Sequence, residues 1–173
     1  SDLTFPHHEC EIAQSECAFD KKMVNHWLHN GLLNISGDKM SKSLGNFFNL
    51  ESLLANYSTN VIRYYFTSTH YRAPLNFSKE SLDSAVSSLE TLQNTVDRLN
   101  SNLAQEKFSD TEIESSTIQN LLAEFTTLLE NDLDVSGALS KVFELSSLVN
   151  STLDNSAVSQ KSILEILDFF QKF

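Results

Sequence analysis

The chain has 173 residues, 40% of them hydrophobic and 20% charged, with a formal net charge of −11. That length can bury a core in one or two domains, and the acidic balance argues against a surface given over to gripping nucleic acid, because such affinity comes from basic groups on phosphates. There is no apolar run long enough for a bilayer and no signal segment, and Cys10 and Cys17 do not form a disulfide framework, so a cytoplasmic protein with no membrane contact is expected.

Ser1-Asp2-Leu3-Thr4 lacks an initiator Met and leads straight into a motif, so the chain is expected to be a piece of a longer one. Pro6 suits the first turn of a helix, where its missing N–H costs nothing, and the dozen residues after it lack Gly and Pro. This predicts a helix over 6–19. Residues 22–33, with Met23, Val24, Trp27 and Leu28, read as a second short helix or turn, and 32–36 as a short strand. A loop of lysines and serines follows, then a helix over 51–57. Residues 60–68 carry Val61, Ile62, Tyr64, Tyr65 and Phe66 and fit either a helix or a buried strand, which periodicity cannot separate at that length.

After Pro74 the pattern changes. Ser78 is a candidate N-cap. Leu82, Ala85, Leu89, Leu92, Val96, Leu99 and Leu103 recur at steps of three and four, predicting a long amphipathic helix with a coiled-coil type of seam. Residues 105–109 read as loop, and Thr111 and Glu114 have capping-box spacing. A second helix face is formed by Ile118, Leu121, Leu122, Phe125, Leu128 and Leu129. Ala138, Leu139, Val142, Phe143, Leu145 and Val149 form a third face, and Ile163, Leu164, Leu167 and Phe170 a fourth. Four such helices predict a bundle, with a boundary near residue 75. The fold class expected is mostly α.

The charge divides unevenly at that boundary. Residues 1–75 hold six basic and seven acidic side chains, and residues 76–173 hold six and sixteen. The bundle is therefore a poor main surface for RNA. Arg63, Arg72 and Lys79 are the best basic candidates for a local contact, with surface ion pairing as the alternative.

Two clusters carry chemistry. Lys39-Met40-Ser41-Lys42-Ser43 crowds two mobile cations and two hydroxyls into five residues, with Gly37 and Gly45 nearby to let the segment bend. That composition suits a polyphosphate. A generic loop of this kind is more often a solvated turn; the full string favours the phosphate reading. His7 and Glu11 lie four apart, so a helix would project both from one face, where an imidazole and a carboxylate could share a zinc ion. At this spacing alone a surface ion pair is the commoner outcome. Cys10, three residues from His7, is either a small buried thiol or a supplementary, oxidisable ligand. Cys17, beside Ala18 and Phe19, reads as core. His8 and His26 read as structural, and His70 as a packing or hydrogen-bonding residue.

The lysine–serine string resembles the signature loop of class I aminoacyl-tRNA synthetases, and its surroundings resemble the cysteinyl-tRNA synthetase family. Residues 5–15, Phe-Pro-His-His-Glu-Cys-Glu-Ile-Ala-Gln-Ser, are similar to a family segment that has Asn where this chain has Cys10. Residues 40–48 resemble its Met-Ser-Lys-Ser-Leu-Gly-Asn-Phe-Phe. Residues 70–78 and 131–139 resemble two further segments in the family's order. The resemblance is strongest before residue 80. It implies the C-terminal part of an α/β Rossmann-type catalytic domain followed by an α-helical bundle. The implied divisions are 1–45 for the end of the nucleotide-binding domain, 46–77 for a connecting region and 78–173 for a bundle of the tRNA-binding type.

The resemblance also implies a reaction. L-cysteine attacks the α-phosphate of ATP, with Mg2+, and the cysteinyl group then passes to the tRNA for cysteine. Lys42 would be the main contact to the departing pyrophosphate and Lys39 its support. Ser41 and Ser43 would order the loop or touch phosphate, and Asp2 would meet the nucleotide ribose. His29 would border the active site. His7 and Glu11 would be two of four ligands of one zinc ion, the others being cysteines earlier in the family's chain. A monomer is expected, and the isolated segment is expected to be inactive. Two alternatives stand beside this: a related ligase joining cysteine to an amino sugar of the mycothiol type, and a non-catalytic helical binding module.

Overall fold

The computed structural model describes residues 3–35, 38–39 and 50–172, with only the backbone described at 38–39. Seven α-helices and three short strands lie in the described residues. Helix α1 is Glu9–Phe19, preceded by a kinked π-type turn over Thr4–His8 in which Phe5 is extended and the Phe5–Pro6 bond is cis. Strands β1 (Leu33–Ile35) and β2 (Asp38–Lys39) pair antiparallel, with Asn34 opposite Lys39. Helices α2 (Leu50–Leu54) and α3 (Thr59–Thr67) follow, then β3 (Leu75–Phe77), which runs parallel to β1 in the order β2-β1-β3. Helices α4 (Lys79–Ala104), α5 (Ser115–Glu130), α6 (Val135–Asn155) and α7 (Gln160–Lys172) complete the chain. No helix among the described residues is long and apolar enough to cross a membrane.

Residues 60–67 are helical rather than extended, and Ser68 caps the end of that helix. Ser58 caps α3 by accepting from the Val61 amide, and Val61, Ile62 and Tyr65 then fall on one buried face. The Tyr65 hydroxyl donates to the Asn76 carbonyl at 2.7 Å and ties α3 to β3. These residues form one core with Ile35, Leu53, Phe77, Leu82 and Ala85. A second core gathers Leu92, Leu99, Ile118, Leu121, Val142, Leu145, Val149, Ile163, Ile166 and Phe169. Helix α4 serves both, its first turns in one and its later turns in the other. Ser78 caps it, accepting from the Ser81 amide at 3.1 Å.

Several expectations are corrected. Residues 20–32 form no helix: Asp20, in the left-handed region at φ 47°, ends α1, and the chain beyond it is irregular. Cys17 is exposed, not core, and Cys10 is exposed as well, which removes the buried-thiol reading. Thr111 and Glu114 form no capping box. Glu114 precedes α5 without a side-chain cap, while Thr111 belongs to a loop whose carbonyl accepts from the Ser159 amide at 2.8 Å. That loop is pinned by Ser162, whose hydroxyl accepts from the Ile113 amide at 3.1 Å and donates to its carbonyl at 3.2 Å. Helix α7 buries Ile163, Ile166 and Phe169, whereas Leu164 is 53% exposed. Of the expected face, Ile163 is buried and Leu167 and Phe170 pack partly buried against the second core, so Leu164 alone turns to solvent.

The α4 seam is also part polar. Thr95, not Val96, is fully buried, and its hydroxyl lies 2.7 Å from that of Ser146 on α6. Asn150 donates to Thr95 at 2.7 Å, and Arg98 donates to Asn150 at 2.6 Å. A polar chain that runs from the buried Thr95–Ser146 pair to the surface and is satisfied in this way fixes the register of two helices more tightly than interchangeable leucines do.

Gly31 holds the approach to the sheet. Its amide donates to the Tyr71 carbonyl at 2.6 Å, and a Cβ built there would overlap the backbone carbonyl of Ala73. Because the obstacle is backbone, it cannot rotate away. Gly31→Ala is expected to destabilise the chain by about 2–3 kcal/mol through a parted β1–β3 pair. Chemical unfolding would check it; an unchanged midpoint would show that the two segments can separate freely.

Candidate functional site

Two adjacent histidines end the π-type turn that leads into α1, and they do different things. Successive helical positions are turned about 100° apart, so only one can face inward. His8 is the half-buried one. Its ring stacks on Trp27, with centroids 4.4 Å apart and planes 22° apart, and on His29 at 4.9 Å. His8 Nδ1 and His29 Nε2 are 3.2 Å apart, so one ring carries the proton and the other accepts it. Trp27 and His29 are nearly coplanar in orientation, at 6°. This three-ring stack holds the start of α1 against residues 27–29. Glu16 adds a second tether by accepting from the Met23 amide at 3.2 Å. The reading of His8 as structural agrees with this packing; the stack itself was not legible, because its rings come from 21 residues apart.

His7 and Glu11 remain exposed, as does Cys10. Both candidate donors sit on the helical run that the stack anchors, and no residue of α1 is buried. Among the described residues, no group of three His, Cys, Asp or Glu is disposed to hold a metal ion. Cys10 therefore does not complete a three-donor set with its neighbours. The fit to zinc is that of two suitable donors: an imidazole nitrogen and a carboxylate oxygen, accessible and one helical turn apart.

Lys39 takes its place in β2, paired with Asn34 of β1. Asp2, Ser41, Lys42 and Ser43 lie outside the described residues. Residues 27–39 thus link the two clusters. Their first part holds His8, and β1 is clamped between β2 and β3 before the lysine–serine string begins. Beside the sheet, a cavity of about 360 Å³ is lined by Asn30, Gly31, Leu33, Phe66, His70 and Tyr71 among others.

The basic candidates separate. Arg63 and Lys79 are exposed. Arg72 is bound to Asp132, its Nε at 2.9 Å from one carboxylate oxygen and its terminal nitrogen donating to the other at 2.9 Å. Arg72 is therefore an ion-pair partner. His70 stacks on Tyr71 at 4.9 Å and accepts from the Arg72 amide at 3.3 Å, the packing and hydrogen-bonding role expected of it.

Comparison with known proteins places these features. A family model described as the tRNA synthetases class I (C) catalytic domain matches residues 1–87. A cysteine–tRNA ligase from Shouchella clausii is 40% identical over 173 residues, covering 99% of this chain and 37% of that protein. One from Clostridioides difficile is 41% identical over 160 residues, covering 90% and 34%. The chain thus spans about a third of the length of these curated relatives. The LeuRS of Agrobacterium radiobacter, solved in a ternary complex with tRNA and LeuAMS, superposes with a TM-score of 0.69 at 18% identity. It covers 95% of this chain and 23% of that one, and at this identity it shows a common fold. The anchored helix, the small sheet and the bundle, in this order and with these matches, belong to one lineage: the chain is a member of the class I (C), or cysteinyl, tRNA synthetase family.

Proposed function

We propose that this chain is part of a cysteine–tRNA ligase that activates L-cysteine with ATP and Mg2+ and passes the cysteinyl group to its tRNA. The observation that carries the reading is the double duty of residues 27–39. Trp27 and His29 hold the turn bearing His7, and the β1–β2 pair holds Lys39, the first residue of the lysine–serine string. This supports the reading by tying to one short stretch of chain the two clusters to which it gives the amino acid and the nucleotide.

In this reading Lys42 stabilises the charge that grows on the departing pyrophosphate, with Lys39 in support. Ser41 and Ser43 order the loop or donate to phosphate oxygens, and Asp2 accepts from a ribose hydroxyl. His7 and Glu11 offer two of the donors for a zinc ion. When bound, such an ion supplies a Lewis acid that takes up the substrate sulfur as thiolate and discriminates against the harder, less acidic hydroxyl of serine. His8 does not bind the ion; it keeps the turn that carries His7 in place.

The test is made on the native polypeptide. Cysteine-dependent exchange of labelled pyrophosphate into ATP is expected, with serine inert, followed by charging of tRNA and by zinc in metal analysis. Ligation of cysteine to an amino sugar in place of tRNA would move the assignment to the related ligase. Absence of any cysteine-dependent exchange would leave the binding-module alternative standing.

A further inference from the structure

The turn between α5 and α6 carries an unusual load. Asp132 and Leu133 are consecutive non-glycine residues in the left-handed region, at φ 56° and 55°. Asp tolerates that region through its short polar side chain, whereas Leu does not adopt it readily, and here Leu133 is 50% exposed, with no burial to offset the strain. Strain of this kind persists where surrounding contacts impose it.

The backbone closes the turn, the Asp134 amide donating to the Leu128 carbonyl at 3.1 Å and the Val135 amide to the Leu133 carbonyl at 2.7 Å, and Asp132 holds it from outside. One carboxylate oxygen accepts from the Tyr71 hydroxyl at 2.7 Å and from Arg72 at 2.9 Å, and the other accepts from Arg72 Nε at 2.9 Å. Arg72 Nε also donates to the Tyr71 hydroxyl at 2.9 Å, and His70 Nε2 stands 3.8 Å from the carboxylate. A forked guanidinium pair within a network is the arrangement in which a surface ion pair has a measurable effect.

Both ends of this clasp are rigid. On the bundle side, Asp134 caps α6, accepting from the Gly137 amide at 2.9 Å. On the other side, the Tyr71 carbonyl receives the Gly31 amide at 2.6 Å, and the Leu75 amide donates to Leu32 at 2.9 Å as β3 joins β1. A displacement of the α5–α6 turn therefore reaches β1 through two or three stiff links.

We propose that Asp132 is a positioning residue: held by Tyr71 and Arg72, it sets how the helical bundle stands on the β1–β3 edge, and so governs transfer to RNA but not adenylate formation. This rests on the function proposed above, in which the residues of the first step lie before residue 45 and only the RNA spans both halves. The Asp132 carboxyl is held below the usual carboxylate range by the Tyr71 hydrogen bond and then by Arg72. The clasp is accordingly intact at neutral pH and is lost only as pH falls through that lowered value.

Asp132→Asn in the native polypeptide tests this. Asn is at home in the left-handed region, so the turn survives while the charge is removed. Pyrophosphate exchange is expected to stay within about twofold of wild type, while kcat/KM for tRNA falls about tenfold. Tyr71→Phe should move the same way by a smaller factor. Hydrogen exchange at the Gly31 amide should quicken in Asp132→Asn. Unchanged tRNA kinetics, or equal loss in both steps, would overturn the proposal. If the wild-type protein shows no cysteine-dependent exchange, the functional reading has failed. The Gly31 amide then decides alone: faster exchange supports the clasp, and an unchanged rate overturns it.

Discussion

Lys42→Ala is expected to slow cysteine-dependent pyrophosphate exchange by a factor on the order of 10²–10³, with the KM for cysteine little changed. The reason is where charge appears. As cysteine attacks the α-phosphate, the bond to pyrophosphate breaks and negative charge accumulates on the leaving oxygens. A cation placed there interacts more strongly with the transition state than with bound ATP, so its loss falls on the rate. In the proposed reaction the amino acid attacks from the side opposite the leaving group, so its affinity is expected to change little. Lys42→Arg distinguishes position from charge. Arginine keeps the charge but spreads it over a planar fork on a differently shaped stem, and partial recovery is expected. Exchange at the wild-type rate in Lys42→Ala would remove this residue from the mechanism and leave the lysine–serine string as a solvated turn.

His7→Ala should lower affinity for cysteine about a hundredfold and leave affinity for ATP within about threefold, together with loss of zinc from the purified protein. His7 is exposed on a turn held by its neighbour, so its removal leaves no cavity and breaks no core contact. That makes the variant clean: a fall in cysteine binding cannot be ascribed to collapse. His8→Ala provides the contrast. It removes a ring packed at 4.4 Å on Trp27 and should loosen α1, weakening metal retention without deleting a donor. Equal losses of cysteine and ATP binding in His7→Ala, or full zinc content, would show that the imidazole is not a ligand.

Much of this was legible in the residues alone. The Ser78 cap, the long α4 helix and the four-helix content follow from local hydrogen bonding and from apolar residues at steps of three and four, and these depend little on the rest of the chain. The lysine–serine string and the His7/Glu11 spacing are equally local as patterns, and the roles given to them belong to the function proposed above. The resemblance to the cysteinyl family was carried by such short strings.

Other features were settled only by packing. Helix α7 has apolar residues over a wide arc, and its own sequence does not say that Ile166 and Phe169 go deepest while Leu164 faces water. Thr95 is buried because Ser146 and Asn150 on another helix satisfy its hydroxyl, a partnership across more than fifty residues. Cys17 looked apolar by its neighbours, yet α1 buries none of its residues. The stack of His8 on Trp27 and His29, and the grip of Tyr71 and Arg72 on Asp132, join segments that periodicity treats as unrelated. Local spacing decides which elements form and which groups share a face. Only closure of the chain decides which face turns inward and which distant groups come within hydrogen-bond reach, because those choices minimise exposed apolar surface and unpaired polar atoms over the whole molecule at once.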